Sequence, residues 1–460
     1  MKARKKIKKN LYPLEKLFGK IVSPFEQFLK RTTAGGLVLV GTTIITLILA
    51  NLPVGSTLHQ LWEAPIYFGI GTHQLVMNIH HFVNDALMTL FFLLVGLELK
   101  RELSSGELSS LKDAALPIIA AAGGMIVPAA LYHIINPGGA AAHGWGIPMA
   151  TDIAFSVGIL VLLSWRIPRT LIIFLTALAI ADDLGAILVI ALVYTQTINL
   201  TALGFAVIAF MVLVMLNRGG IRHIVPYAMV GVFLWLSLLA SGVHATLAGV
   251  ILAFTIPSRP VFTPEQFSGR LGELQCAFQT ESDDPDTPDD PLSNRRMAMI
   301  AQNLEQAAGN VQSPQQRMEH MLAPWVTFMV IPVFALVNAG VNFSEIRFVD
   351  SLHQPVTIGV IVGLVLGKFL GISGASFIAV KLGLAKLPAS LNWHHILGVA
   401  WLGGIGFTMS IFIGQLAFFG TPVLTEYAKV GILFGSFISA MIGSLWLYVC
   451  TGKPVQQNTD

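Results

Sequence analysis

Apolar runs long enough to cross a bilayer constrain this chain more than any other feature. In hydrocarbon every backbone N–H and C=O must be satisfied within the protein, which leaves only helices and closed barrels. Runs of about the required 17–25 residues fall at 34–53, 78–99, 114–136, 145–164, 170–195 and 200–217, then at 224–240, 241–256, 324–340, 355–380, 394–418 and 427–449. They number twelve, with the division between 240 and 241 the least distinct. Barrel strands would alternate polar and apolar residues over about ten positions; these runs do not, so helices are expected. Only 12% of the 460 residues are charged, against about 25% in soluble domains, and the mean hydropathy is +0.71. The chain reads as an all-α integral membrane protein.

Basic residues orient the bundle. Residues 1–31 hold ten Lys/Arg, and 25 of the 28 in the chain fall at the termini or in every second loop. That pattern places both termini in the cytoplasm. The domain reading follows: a basic cytoplasmic segment 1–33, helices 1–8 over 34–256, a cytoplasmic loop 257–322, helices 9–12 over 323–450, and a cytoplasmic tail 451–460. Residues 54–77 form a hairpin-like extracytoplasmic connection. The long loop carries "TESDDPDTPDD" (280–290), an acidic, Pro-rich stretch expected to be disordered; from about 296 to 322 an amphipathic helix is expected. A secretory signal is not expected at the N-terminus, since the basic stretch is too long and no cleavage site follows. Cys276 and Cys450 both map to the cytoplasmic side, where a disulfide is not expected.

Four acids and one lysine stand well inside the apolar runs, away from their ends: Asp85, Asp152, Asp182, Asp183 and Lys368. Each acid costs roughly 2.5–3.5 kcal/mol at the centre of a membrane helix. Asp152, the Asp182/Asp183 pair and Lys368 lie near the middle of three different runs, so they share one depth. Opposite buried charges at one depth are expected to meet. Adjacent helical residues point about 100° apart, so one aspartate can face Lys368 while the other lines a cavity. A static salt bridge would absorb one aspartate and leave two unexplained.

Backbone signals converge there. "WGIPMATDIAFSVGIL" (145–160) and "GVAWLGGIGFTMSIF" (398–412) are rich in Gly and Pro and form the middle runs of two three-helix units, 114–195 and 355–449. Interrupted helices in corresponding positions are the best sequence pointer to a transporter site. A negative Asp152 would offset facing helix N-termini and a positive Lys368 the facing C-termini. Carboxylates with the hydroxyls of Thr151, Thr408 and Ser410 and freed carbonyls suit a small hard cation. The two acids can bind protons, or release them to hold Na+ or Li+, but not both at once. That competition is antiport in its simplest form.

The segments "VNDALMTLFFLLVGLELKREL" (83–103), "PMATDIAFSVGIL" (148–160), "ALAIADDLGAILVIAL" (177–192), "SGVHATLAGVI" (241–251), "GLVLGKFLGIS" (363–373) and "GIGFTMSIFI" (404–413) resemble the signatures of NhaA-type bacterial Na+/H+ antiporters, in order from about 33 to 450. The interrupted-helix pointer used above was itself generalised partly from this family. The resemblance implies twelve transmembrane helices with inverted-topology repeats and two crossed, interrupted helices. It implies an electrogenic, pH-regulated antiporter of the bacterial inner membrane, exporting Na+ and Li+ for protons in sodium and pH homeostasis. Asp182 and Asp183 would hold the Na+ or Li+, Asp183 being the more essential, with Asp152 and Thr151 lining the site and Lys368 compensating charge. Glu98, Arg101, Glu102, Glu319 and His320 would sense pH at the cytoplasmic mouth, and Asp85 would play a supporting part. A homodimer joined partly through 54–77 is also implied. Ala323 stands where the family often has a second histidine. His244, near the extracytoplasmic end, is a supporting candidate that packing accounts for equally well, and His80 and His81 carry no assigned role.

The expectation is a transporter, not an enzyme: no catalytic residues, no cofactor, membrane lipid as surroundings and no nucleic acid as partner. A retinal protein would have about seven spans with the lysine in the last, whereas Lys368 lies in the tenth. A channel fits broken helices and a compensating lysine less well than alternating access does. The remaining alternative is a proton-coupled carrier for another monovalent cation such as K+.

Overall fold

The computed structural model describes residues 34–70, 73–106, 109–195, 198–283, 293–341 and 348–451. The basic segment 1–33, the stretch 284–292 where disorder was expected, and the tail from 452 lie outside them. The described chain is overwhelmingly helical. Helix α1 (Ala34–Ala50) leads through α2 (Gly55–Trp62) into a hairpin of β1 (Pro65–Ile70) and β2 (His73–Asn78), paired antiparallel with Pro65 opposite Asn78. Then come α3 (Ile79–Ser105) and α4 (Lys112–Ile135). Helix α5 is interrupted, with halves α5a (Ala140–Met149) and α5b (Ile153–Leu162). It is followed by α6 (Arg169–Val193), α7 (Leu200–Arg218) and α8 (Ile224–Ser241).

Among the described residues nine helices are long and apolar enough to cross a membrane, or eleven when each of two bent pairs counts as one span. The expected twelve is not reached, and the shortfall lies in 241–256. There α8 ends on Gly242 in the left-handed conformation, and helix resumes only in α9 (Leu247–Thr255), nine residues long. Nine residues rise about 13 Å, under half of the ~30 Å hydrocarbon thickness. The sequence there stays apolar through the turn, which is why the run reads as a span. Glycines let α9 lie against α3: a Cβ on Gly96 would come within 2.8 Å of the Ala253 side chain.

The described parts of the long loop 257–322 are more helical than its composition suggests. A capping box of Thr263 and Gln266 starts α10 (Pro264–Ser282). Helix α11 (Arg295–Val311) returns alongside it, with Arg296 3.8 Å from Glu281. The amphipathic segment expected near 296–322 breaks at Gln312–Ser313, where a second capping box, Ser313 with Gln316, opens a new helix. That helix, α12 (Pro314–Asn338), continues into the bilayer.

The last unit comprises α13 (Pro355–Lys381), the interrupted α14 with halves α14a (Trp393–Leu402) and α14b (Phe407–Ala417), and α15 (Pro422–Cys450). It repeats the long–broken–long order of α4, α5 and α6, upside down. As α4 runs forward its neighbours on α13 run backward: Gly123 meets Gly371, Pro128 meets Gly367, and the Asn136 amide donates to the Pro355 carbonyl at 3.0 Å. At Gly123 and Gly371 neither backbone leaves room for a side chain on the other. Single-turn π segments occur at Val83–Leu87, Val326–Val330 and Gly363–Gly367. Such bulges favour functional places; the first carries Asp85 and the last delivers Lys368.

Candidate cation site

The two breaks meet. Asp152 ends the α5 interruption, and its amide donates to the Ile405 carbonyl in the α14 interruption at 2.6 Å. One carboxylate oxygen of Asp152 caps its own helix by accepting from Phe155 N–H at 3.1 Å. The other accepts from the Thr408 amide at 3.1 Å and the Thr408 hydroxyl at 2.6 Å. Asp152 therefore joins the N-terminal ends of α5b and α14b, where the helix dipoles make negative charge favourable. Irregular backbone survives at this depth because it is enclosed by protein.

Gly403, at the end of α14a, offers its carbonyl to the Thr151 hydroxyl at 2.9 Å. The hydrogen bond seen for Lys368 goes to Asp182, with Nζ 2.5 Å from Oδ2. Both side chains are fully buried. The Thr151 hydroxyl also approaches Asp182 Oδ2 at 2.7 Å. A hydroxyl carries one proton, so Thr151 serves Asp182 or Gly403, not both.

Asp183, one residue on, points elsewhere. It is 1% exposed, and neither of its oxygens has a hydrogen-bond partner; Asp182 Oδ1 is likewise unpartnered. Of the two adjacent aspartates, Asp182 meets the lysine and Asp183 makes no hydrogen bond to it. Ser410 is not aimed at the acids, because its hydroxyl donates to the Ile147 carbonyl on α5a at 2.7 Å. Among the described residues no three His, Cys, Asp or Glu converge as a metal cage. A cation here would depend on Asp183 and Asp182 with hydroxyl and carbonyl oxygens, the donor set of a weakly held hard ion.

At the C-terminal end of α3 a cavity of about 490 Å³ is lined by Glu102, Ser105, Asp113, Thr176 and Ala177 among others. The buried apolar cluster Leu99, Ala114, Ala177 and Ile180 adjoins it, and Ile180 stands one turn before Asp183 on α6. Around this mouth Arg101 bridges Glu102 at 3.2 Å and Glu319 on α12, with Glu98 in electrostatic contact with all three. His320 is exposed beside Glu319. The structure thus brings Glu98, Arg101, Glu102, Glu319 and His320 together.

Asp85 and His244 stand apart from both groups. The Asp85 carbonyl accepts from the Trp235 indole at 3.3 Å. His244 Nε2 lies 2.9 Å from the Tyr194 carbonyl, a packing contact. Sequence reading missed a ring of three amides toward the other end. Asn84 donates to Gln415 at 2.7 Å, Gln415 to Asn338, and Asn338 back to Asn84 at 2.8 Å. His80 sits 3.3–3.4 Å from Asn84 and Gln415. The position of Asn84 beside Asp85 in an apolar helix was the available signal.

Residues 26–447 match the family model described as Na+/H+ antiporter 1. The Na+/H+ antiporter NhaA of Syntrophobacter fumaroxidans is 64% identical over 444 residues, covering 96% of this chain and 94% of that one. The Na+/H+ antiporter NhaA of Acidithiobacillus ferrooxidans is 55% identical, covering 94% and 99%. The corresponding protein of Sulfurimonas denitrificans is 48% identical, covering 95% and 97%.

Proposed function

Because this chain belongs to the Na+/H+ antiporter 1 family, we propose that it carries out its Na+/H+ exchange at the meeting of the two helix breaks, with Asp183 as principal cation ligand. It is a multi-pass membrane transporter, and its named relatives are Na+/H+ antiporters; a K+ carrier finds no support among them. The observation that carries the reading is Asp183. It is a buried carboxyl group with both oxygens unpartnered, whereas Asp152 accepts three hydrogen bonds and Asp182 is held by Lys368 and Thr151. An ionised carboxylate in such a place needs a positive partner, and a proton and Na+ compete for it.

In this cycle Na+ or Li+ binds Asp183 and draws Asp182 away from Lys368. Thr151 then turns its hydroxyl proton to Gly403 and offers its oxygen to the ion. Asp152 stays on the two helix ends, fixing the breaks as the bundle re-faces the site. Two acids that take up two protons in one state and one monovalent ion in the other exchange two charges for one, which makes the exchange electrogenic. The cluster of Glu98, Arg101, Glu102, Glu319 and His320 regulates by pH, since its charges decide how α3 and α12 hold together at the mouth. The protein works in the bacterial inner membrane as a homodimer. The β1–β2 hairpin supports this, because a two-stranded ribbon has open edges and is marginal alone.

The test is a pH-gradient assay in inverted vesicles, adding Na+, Li+ and K+ in turn. Na+ and Li+ should collapse the gradient, K+ should not, and Asp183→Asn should abolish the response. A wild-type response from Asp183→Asn overturns the assignment.

A further inference from the structure

We infer that Ser436, on α15, is a positioning residue of the cation site. Its hydroxyl oxygen accepts from the amides of Gly406 at 3.2 Å and Phe407 at 3.1 Å. Those N–H groups begin α14b, and the next amide, Thr408, is the one bonded to Asp152. The opening turn of a helix has orphan donors that need acceptors. Ser436 takes two and so reserves the third, with the Thr408 hydroxyl, for the Asp152 carboxylate.

Another hydroxyl, that of Ser410, stands close to Gly406 but donates to the Ile147 carbonyl at 2.7 Å. Ser436 lines a cavity of about 440 Å³ whose other walls include Phe155, Ile405, Phe407 and Phe437. Thr43, a second hydroxyl on that wall, donates to the Leu39 carbonyl at 2.8 Å. At this depth water does not replace a lost acceptor. Without the Ser436 oxygen, the two amides are left facing hydrocarbon and compete with Thr408 for the strongest acceptor at hand, Asp152. The carboxylate that fixes both breaks is then drawn off its place, and the geometry around Asp182 and Asp183 loosens with it.

The same helix supplies an internal control. Ser439, one turn on, is fully buried, yet its hydroxyl has no hydrogen-bond partner. Removing an unsatisfied hydroxyl is near neutral or stabilising, so the two serines share size, burial and helix face but not function.

The inference rests on the site reading above, and the experiment separates the two. The full-length protein is reconstituted in proteoliposomes and Na+-driven proton movement is followed across pH. Ser436→Ala should raise the KM for Na+ about tenfold. Its activity profile should move to higher pH, with kcat at saturating Na+ within about twofold of wild type. Ser436→Thr, which keeps the oxygen, should restore both, and Ser439→Ala should behave as wild type. If Ser436→Ala does not purify folded, Ser436→Cys, of similar size but a weak acceptor, carries the same expectation. A wild-type KM and pH profile, or equal effects at 436 and 439, overturn the inference. Retained activity in Asp183→Asn would instead overturn the site itself.

Discussion

Replacing Lys368 by methionine isolates the charge of the central pair, because an unbranched apolar stem of four heavy atoms remains and the ammonium is lost. Asp182 then retains one contact, the Thr151 hydroxyl at 2.7 Å on Oδ2, while Oδ1 already has none. Truncating one member of a fully buried pair costs about 3–5 kcal/mol, mostly the cost of the charge left behind. At about 2.1 cal/mol/K per residue, the unfolding entropy of a 460-residue chain approaches 1 kcal/mol/K. The expected loss is therefore only about 3–5 °C in apparent melting temperature, resolvable on purified protein in detergent. Adding Asp182→Asn to Lys368→Met removes the orphaned charge and should recover most of that loss. Na+ supplies the missing positive charge, so it should stabilise Lys368→Met more than wild type, by mass action on the folded state. A Lys368→Met protein that melts with wild type, or a double variant whose losses simply add, would refute the pairing.

Three smaller changes test other parts of the fold. Lys100 donates to the Phe254 carbonyl at 2.8 Å and also to Ile256, closing the C-terminal end of short α9; Lys100→Met should destabilise by about 1.5–3 kcal/mol, read by melting. Gly371→Ala places a Cβ 2.8 Å from the Gly123 carbonyl carbon and 3.1 Å from Gly124 N, and overpacking should cost about 1–3 kcal/mol with reduced transport in vesicles. Asn338→Leu opens the amide ring and takes away the partner of the Asn84 oxygen and of the Gln415 amide nitrogen; about 1–3 kcal/mol for each group left unpaired should appear in denaturation.

What was legible in the sequence was whatever carries a large cost in hydrocarbon. Asp152, Asp182, Asp183 and Lys368 stood out because charges are rare in apolar runs, and their common depth already implied a meeting. The split between Asp182 and Asp183 followed from the angle between adjacent residues. The interruptions at 150–152 and 403–406 were announced by Pro148 and the glycines. Features that hydropathy does not price were harder to see. The turn before α9 is as apolar as a helix would be, so 241–256 read as a span. Helix α10 was signalled by Thr263 and Gln266, and the start of α12 by Ser313 and Gln316, but both signals sat in polar sequence that composition marked as loop.

The contact between Gly123 and Gly371 makes α4 and α13 behave as a single beam, riveted where neither strut has a side chain to slide upon. Lys368 stands three residues from that rivet. It sits close to a fulcrum, where tilting of the surrounding helices displaces it least. Parting from Asp182 is then left to the swing of its own four-carbon stem and to movement of the aspartate's helix, with the lysine as the stationary post that the rest of the machine turns around.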